Sequence, residues 1–301
     1  MKLSFVIPSY CCRECLAECI KSVQAQTMKD FECIVADDES TDGTQEMCLE
    51  MAKADPRIRL LPLRHCCAAN CRNEGLDAAQ GDFVWFVDAD DLLLPDAAKK
   101  ALDFIERNQL QMAMIDGEIL DCGARLFDLM HGIGYLRRKR DYGIASGAEI
   151  LHRMIDMENF NCYVFLQVVR RDAIRHRFPV IALDEDLVYT VKNFMELDRV
   201  GHLNEVLYRK RCRPQSTLTS KMTFEKTVSL SDAIEMLADW TEERIGKGLI
   251  SDASVGDIET LLKWNAAEIG TRYKRLDADE LEKMNAVPFR RRLRLRLLAK
   301  A

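Results

Sequence analysis

The chain has 301 residues, of which 48% are hydrophobic, and this is enough apolar material for one large core or two modest ones. Its formal net charge of −6 argues against nucleic acid as a general partner. Its sequence holds no apolar stretch of the roughly 18 residues that span a bilayer, so the composition predicts a soluble globular protein.

Twelve cysteines are spread along the chain. Met1 and Lys2 lead directly into a strand-like run rather than a secretory signal, which predicts a reducing cytoplasm rather than a disulfide-bonded secreted domain. Two groups of three cysteines could form a thiolate metal site, but their spacing fits no zinc pattern. Cys15 and Cys19 stand one helical turn apart beside apolar residues, which favours small buried thiols. The two groups are Cys12, Cys15 and Cys19, and Cys66, Cys67 and Cys71.

The first part of the chain alternates apolar runs with helical patterns. Strands are predicted at residues 3–7, 31–36, 57–63 and 83–87, and helices at residues 12–26, 44–54 and 68–80. This alternation is typical of βαβ units with right-handed crossovers, so we expect an α/β protein with a largely parallel sheet. The glycine-rich turn of a dinucleotide site and the lysine of a P-loop are both missing from the sequence, so phosphates must be met in another way.

Residues 81–91, GDFVWFVDADD, form an apolar run that ends in three carboxylates. Such a run is typical of a strand buried on both faces, so Asp88, Asp90 and Asp91 should lie at its C-terminal end, where open α/β sheets bind ligands. Clustered carboxylates repel one another unless a cation lies among them, and an all-oxygen set suits Mg²⁺ or Mn²⁺. The alternative is a solvated turn before an acidic helix start at residues 94–96.

After residue 91, helical patterns are predicted at residues 95–108 and 147–157, and strands at residues 112–120, 163–169 and 203–208. A basic run at residues 137–140 lies in a loop-like region. It is either a solvated loop or a contact for an anionic acceptor or a lipid diphosphate.

Five motifs are distributed over residues 3–95. They are Pro8-Ser9-Tyr10, SVQAQT at 22–27, DDESTDGT at 37–44, ANCRNEG at 69–75 and FVDADD at 86–91. In this order and at this spacing they resemble family 2 glycosyltransferases. The resemblance implies the GT-A fold, a nucleotide-binding mixed sheet flanked by helices, here with a C-terminal helical extension. The sequence departs from the family pattern at Cys11, where asparagine is usual, and at Cys66 and Cys67, where small residues are usual.

The resemblance also implies a site for a nucleotide-diphosphate sugar. Asp37, Asp38 and Ser40 would lie at the uridine-like end of the donor. Asp88 and Asp90 would hold a Mn or Mg ion and the donor diphosphate. The implied donor-binding residues of these motifs are Pro8, Tyr10, Asp37, Asp38, Ser40, Arg72, Asp88, Ala89 and Asp90.

Sugar transfer also requires a base, because the acceptor hydroxyl must lose its proton as it attacks the anomeric carbon. Asp184, Glu185 and Asp186 open an apolar-periodic helix. Acids are also favoured in a first helical turn by the helix dipole, so the residues alone leave both interpretations open. In the family that the chain resembles, an acidic pair at such a helix start carries the base, which implies Asp186.

Two basic segments follow. Residues 209–216 match a basic loop that closes the site in many family members, which would bring Arg213 and Ser216 to the diphosphate; an ordinary surface loop is the alternative. From residue 223 onward only helices are predicted. Residues 289–298, FRRRLRLRLL, have the profile of an interfacial helix on an anionic membrane, which would place a cytoplasmic protein peripherally on the inner membrane surface. A packed charged helix or a dimer contact would give the same pattern.

Together these features predict an inverting, metal-dependent glycosyltransferase with a UDP-linked donor and a saccharide or lipid-linked acceptor, acting in surface polysaccharide biosynthesis. Inversion follows if Asp186 is the base of one direct displacement. We expect a donor half at residues 1–120, an acceptor half at residues 121–220 and a helical region at residues 221–301. A nucleotidyltransferase with a similar acidic metal site and a non-catalytic nucleotide-sugar-binding protein are the alternative functions.

Overall fold

The structure, a computed structural model, describes residues 1–64, 67–120, 136, 140–211 and 221–283. Several positions named above lie outside the described residues. They are Cys66, residues 137–139 of the basic run, Arg213, Ser216 and the segment 289–298.

The described residues form nine strands and nine α-helices. The strands are β1 (Leu3–Ser9), β2 (Phe31–Asp38), β3 (Ile58–Leu63), β4 (Phe83–Phe86), β5 (Leu92–Leu93), β6 (Met112–Ile119), β7 (Ile144–Ala145), β8 (Gln167–Arg170) and β9 (Val200–Lys210). The helices are α1 (Arg13–Gln24), α2 (Thr44–Ala54), α3 (Ala68–Ala78), α4 (Ala97–Asn108), α5 (Gly147–Asp156), α6 (Glu185–Phe194), α7 (Phe224–Gly246), α8 (Asp252–Lys274) and α9 (Ala278–Lys283).

One mixed sheet contains all nine strands of the described residues. Its order is β3-β2-β1-β4-β8-β6-β9-β5, and β7 pairs with β9. Strands β3, β2, β1 and β4 are parallel neighbours, as expected of βαβ units, whereas β8 runs antiparallel to both β4 and β6. The prediction of an α/β mixed sheet flanked by helices is therefore confirmed.

The central strand β4 is buried on both faces because helices cover both sides of the sheet. Trp85 is fully buried, and its indole Nε1 donates a hydrogen bond of 2.8 Å to the backbone oxygen of Phe165. Helix α4 buries a stripe at helical spacing that includes Ala98, Leu102 and Ile105. The apolar run therefore ends at the carboxyl edge of the sheet with its three aspartates.

Helix α3 lies unusually close to β1. A Cβ atom on Gly75 would stand 2.3 Å from Cγ1 of the buried Val6, so only glycine permits this approach. Arg72 lies three residues earlier on the same helix, and the close packing brings its side chain to the edge of the sheet.

The C-terminal helices pack on the second part of the chain. Helix α7 contacts α6, and helix α8 contacts both α7 and α5. The apolar face of α7 contributes Leu230, Ile234, Leu237 and Trp240 to this shared core. No helix in the described part of the chain is both long and apolar enough to cross a membrane.

The observed strands differ from the predicted ones in three respects. The predicted strand at residues 163–169 begins with a 3₁₀ turn (Val164–Leu166), and only then becomes β8. The two-residue strands β5 and β7 were not predicted, because they are too short to show a periodicity. Strand β9 is longer than predicted at both ends, and its register against β6 shifts near Ile115 and Asp116. Its added C-terminal residues reach the acidic cluster.

Candidate active site

Asp37, at the end of β2, organises the first acidic loop from within. It is fully buried, and its carboxylate accepts hydrogen bonds from Ser9 Oγ at 3.2 Å, from Ser40 Oγ at 2.6 Å and from Gln45 Nε2 at 2.7 Å. The backbone N–H of Ser40 donates a further bond of 3.0 Å. These partners fix the loop between β2 and α2, and Asp37 supports that loop from its buried side.

The surface of this loop is formed by other residues. Asp38 is half-buried, and Tyr10 is 65% exposed. Pro8 lies in β1 beyond Val6, which is the last residue of β1 that pairs with β4. Proline lacks a backbone N–H, and at this position no residue of β4 needs that donor. Cys11 adopts a left-handed φ of 43°, and its N–H donates a bond of 2.8 Å to Ser40 Oγ. The two loops therefore form one unit.

The three aspartates that follow β4 form a cluster. One carboxylate oxygen from each of Asp88, Asp90 and Asp91 lies within 4.8 Å of those of the other two. Asp91 is fully buried and accepts bonds from Tyr208 Oη at 2.7 Å, the Arg211 N–H at 2.7 Å and Lys210 Nζ at 3.1 Å. Burial raises the pKa of Asp91 to about 7, although Lys210 opposes this.

Asp88 is held by two cations. Its Oδ1 lies 3.2 Å from Arg72 Nη2, and its Oδ2 lies 3.1 Å from Lys210 Nζ. Its backbone N–H donates a bond of 3.1 Å to Tyr208 Oη. Burial opposes ionisation of Asp88, but Lys210 and Arg72 outweigh it and lower its pKa. Ala89 and Asp90 follow and are half-buried.

Arg72 connects this cluster with the helix start at residue 185. Its Nη1 donates a bond of 2.6 Å to Glu185 Oε1 and lies 3.5 Å from Asp186 Oδ1. The residue is only 6% exposed, and its guanidinium carbon lies 5.4 Å from the centre of the Phe178 ring. A buried guanidinium with three carboxylates stays charged, and these carboxylates raise its pKa against the effect of burial.

The three acids at this helix start have different environments. Asp184 precedes α6 and forms a two-bond ion pair with Arg272, at 2.7 and 2.9 Å. Glu185 accepts the hydrogen bond of 2.6 Å from Arg72. Oδ1 of Asp186 is buried and accepts no hydrogen bond from the described residues. Burial raises the pKa of Asp186 to about 8 in spite of the nearby Arg72 guanidinium.

The sequence model of glycosyl transferase family 2 matches residues 4–178, more than half of the chain. The chain belongs to glycosyl transferase family 2. A Campylobacter jejuni relative named GalNAc(5)-diNAcBac-PP-undecaprenol beta-1,3-glucosyltransferase is 42% identical over 98 residues, 32% of this chain and 32% of that protein. Against three further curated bacterial glycosyltransferases, each 27% or 28% identical, the chain spans 35%, 60% and 62% of their length.

Solved glycosyltransferases share the fold. The structure of S. aureus TarS 1–349 in complex with UDP-GlcNAc matches with a TM-score of 0.62 and 18% identity, over 90% of this chain and 84% of that chain. Mannosyltransferase PcManGT from Pyrobaculum calidifontis, in complex with GDP-Man and Mn²⁺, matches with a TM-score of 0.58 and 16% identity, over 99% and 84% of the two chains. At these identities the likeness concerns the GT-A-type fold alone.

The acidic cluster of this family 2 member fits a hard divalent cation. It consists of carboxylate oxygens only, and cysteines of the described residues are not part of it. Asp91 directs its oxygens at Tyr208, Lys210 and Arg211, whereas Asp88 and Asp90 are the half-buried members of the cluster and the candidate ligands of an ion. Cys12 and Cys19 are buried in the hydrophobic core instead, as small apolar side chains.

Tyr208 and Lys210 were missed in the sequence. The predicted strand ended at residue 208, but β9 continues to Lys210, and alternation puts both side chains on the buried face. Lys210 is 9% exposed and lies 4.6 Å from the centre of the Phe165 ring. A lysine two residues after an apolar strand position is a weak signal, and it becomes informative only when the partner aspartates are known.

Proposed function

We propose that this family 2 enzyme transfers a sugar, with inversion, from a UDP-linked donor to a saccharide or lipid-linked acceptor in surface polysaccharide synthesis. The observation that carries the proposal is the bridge from Asp88 through Arg72 to Asp186. It places a candidate base one arginine away from a candidate diphosphate site. The UDP-GlcNAc complex of TarS and the undecaprenol-linked substrate in the name of the Campylobacter relative support this donor and acceptor class.

In this proposal Asp186 is the catalytic residue. The base is the ionised form of Asp186, which prevails above its raised pKa of about 8. Its Oδ1 takes the proton of the acceptor hydroxyl, while the acceptor oxygen bonds to the anomeric carbon and the bond from that carbon to the diphosphate oxygen breaks. The nucleoside diphosphate leaves with the electron pair of that bond. A single displacement on the face opposite the leaving group inverts the anomeric centre, and this needs one carboxylate rather than two.

The donor would lie along the carboxyl edge of β1, β2 and β4. Pro8, Tyr10, Asp38 and the loop held by Asp37 and Ser40 would contact the base and ribose. Asp88 and Asp90 would hold a Mn²⁺ or Mg²⁺ ion, which neutralises the charge that develops on the departing diphosphate. Arg72 and Lys210 supply two further positive charges at the same place. Arg213 and Ser216 remain proposed diphosphate contacts.

The remaining assignments follow the sequence. Residues 1–120 would bind the donor, residues 121–220 would bind the acceptor, and residues 221–301 would add the helical region. Residues 289–298 would rest on the cytoplasmic face of a membrane and bring the enzyme to a lipid-linked acceptor.

A panel of UDP- and GDP-sugars, incubated with Mn²⁺ or Mg²⁺ and water as acceptor, tests the proposal. We expect slow release of nucleoside diphosphate from one UDP-sugar and loss of this release in excess chelator. Release of pyrophosphate would instead indicate a nucleotidyltransferase. Donor binding without any turnover over long incubation would indicate a binding protein.

A further inference from the structure

The turn that precedes helix α6 is held by the C-terminal helices. The N–H of Leu183 donates a bond of 2.7 Å to Ser229 Oγ in α7, and the same hydroxyl donates to the Leu183 backbone oxygen. One side chain therefore satisfies both backbone groups of the residue. Because α7 is a long helix with one face in the core, it offers a rigid support for this turn.

Arg272 of helix α8 holds the next residue. Its Nη1 and Nη2 donate to the two carboxylate oxygens of Asp184 at 2.7 and 2.9 Å, and its Nη1 also donates to the backbone oxygen of Lys226 at 2.9 Å. The side chains of Arg272 and Asp184 are 17% and 18% exposed. A two-bond pair of this kind is specific in direction as well as favourable in energy, so it fixes the orientation of Asp184.

The conformation of Asp184 explains why such support is needed. Asp184 has a left-handed φ of 62°, which is unfavourable for a residue with a Cβ atom. The chain enters α6 at Glu185 directly after this position, and Asp186 follows within the first turn. A change in the backbone angles of Asp184 would rotate this first turn. It would move the Asp186 carboxylate away from the donor site.

We propose that Arg272, assisted by Ser229, is a positioning residue for sugar transfer, and that it keeps Asp186 directed at the acceptor through Asp184. The inference rests on the proposed function, because it assumes that Asp186 is the base. It gives the C-terminal helices a part in catalysis although they contribute no group to the reacting atoms.

A matched ion pair at the other end of α6 provides the control. Arg244 of α7 lies 2.8 Å from Glu196, just beyond the end of α6, and both side chains are 22% exposed. Arg244→Gln and Arg272→Gln thus each remove one half-buried arginine that ties a C-terminal helix to α6. Of the two ion pairs, only that between Arg272 and Asp184 lies next to the candidate base.

The experiment compares both variants with the native chain, using the UDP-sugar that the panel shows to be hydrolysed fastest. The experiment measures kcat and KM for hydrolysis, Kd for UDP by calorimetry, and Tm. We expect Arg272→Gln to lower kcat by about 10- to 100-fold with an unchanged Kd for UDP, because a small misplacement of a reacting group has such an effect. Both variants should lower Tm by a similar amount, because each loses one half-buried ion pair. Arg244→Gln should nevertheless leave kcat within about twofold of the native value, because its ion pair lies away from the candidate base.

Two further variants cover a failure of Arg272→Gln to fold. Asp184→Asn weakens the ion pair but keeps a residue that tolerates the left-handed region, and it should lower kcat in the same way. Arg272→Lys keeps the charge without the two-bond geometry, and its kcat should lie between those of the native chain and Arg272→Gln. Native kcat in both Arg272→Gln and Asp184→Asn, or equal loss of kcat in Arg244→Gln, would overturn the inference.

Asp186→Asn, assayed in parallel, separates this inference from the proposed function. If Asp186→Asn is inactive and Arg272→Gln is fully active, the base assignment stands and only the positioning role fails. If Asp186→Asn retains hydrolysis, the base assignment fails and the positioning role fails with it.

Discussion

Arg72 connects acidic residues from two separate parts of the site. Its guanidinium contacts a candidate metal ligand, Asp88, on one side and the acids Glu185 and Asp186 on the other. It leaves Asp186 with a buried oxygen that accepts no bond from the described residues. The environments of the three acids therefore differ in kind, and substitutions at them should have separable effects.

Asp186→Asn should abolish sugar transfer while the fold and UDP affinity persist, because an amide cannot accept the acceptor's proton. Turnover, UDP binding and Tm of the purified variant check this. Glu185→Gln is a comparison rather than a neutral control, since it weakens a buried contact with Arg72 and should lower Tm. If Asp186 only interacts with the helix dipole, its replacement would cost about 0.3 to 1 kcal/mol of stability and turnover would persist.

Asp90→Asn tests the cation site. The change keeps the shape of the side chain but removes a charged ligand, so turnover should fall by orders of magnitude. Titration with Mn²⁺ should show weaker binding than in the native chain, whereas uridine alone should bind equally well. Full turnover of Asp90→Asn, or of the native chain in excess chelator, would exclude the metal assignment.

In the first acidic motif, Asp38 is the proposed donor contact, whereas Asp37 supports the loop. Asp38→Ala should raise KM for the donor with little change in kcat, because base and ribose contacts are the same in the ground and transition states. Asp37→Ala should lower Tm markedly, since it leaves Ser9, Ser40 and Gln45 without their buried acceptor. A collapse of kcat with unchanged KM in Asp38→Ala would assign Asp38 to the chemistry instead.

At the scale of elements, the site depends on the close packing of α3 against β1. Gly75→Ala would force a Cβ atom to within 2.3 Å of Val6, and overpacking of this kind costs about 1–3 kcal/mol. We expect a lower free energy of unfolding in urea and reduced turnover, because Arg72 lies on the displaced helix. Gly256→Ala in α8 is the matched control, since its Cβ would meet nothing within 4 Å and should stabilise the helix slightly. Equal stability of the two variants would contradict this view of α3.

The elements were predictable where a single period governs the sequence. Strand β4 and helix α4 follow directly from their apolar patterns, and the acidic end of β4 follows because a buried strand cannot hold bare carboxylates. The contact between Arg72 and Asp186 was not predictable, because it joins residues 114 positions apart through the packing of α3 and α6. Lys210 was missed because a neighbouring strand determines how far β9 continues, and its pairing with β6 is a non-local property.

At the scale of the whole molecule, the C-terminal helices and the β4 edge meet at α6. The helices hold the entry to α6 through Asp184, and the sheet reaches its first turn through Arg72. The core of buried residues from α5, α6, α7 and α8 joins these contacts into one unit. Carboxylates are therefore buried where the two parts meet, and this has a consequence for stability as a function of pH.

The free energy of unfolding should decrease as pH rises from about 5 to 8. Asp186 has a folded pKa of about 8, above its ordinary value of 3.8, so within this interval the native state binds a proton that the unfolded chain has released. Stability falls with pH wherever the native state binds more protons, here by at most about 1.4 kcal/mol per pH unit for one group. In Asp186→Asn this contribution is absent, so urea unfolding at a series of pH values should give a shallower slope. The stability of the variant relative to the native chain should therefore increase as pH rises.

Asp103→Asn is the control, because Lys99 lowers the pKa of Asp103 and its proton is therefore not exchanged in this range. The same slope in Asp186→Asn as in the native chain and in Asp103→Asn would show that the proton is held elsewhere, with Asp91, whose pKa is raised to about 7, as the next residue to replace.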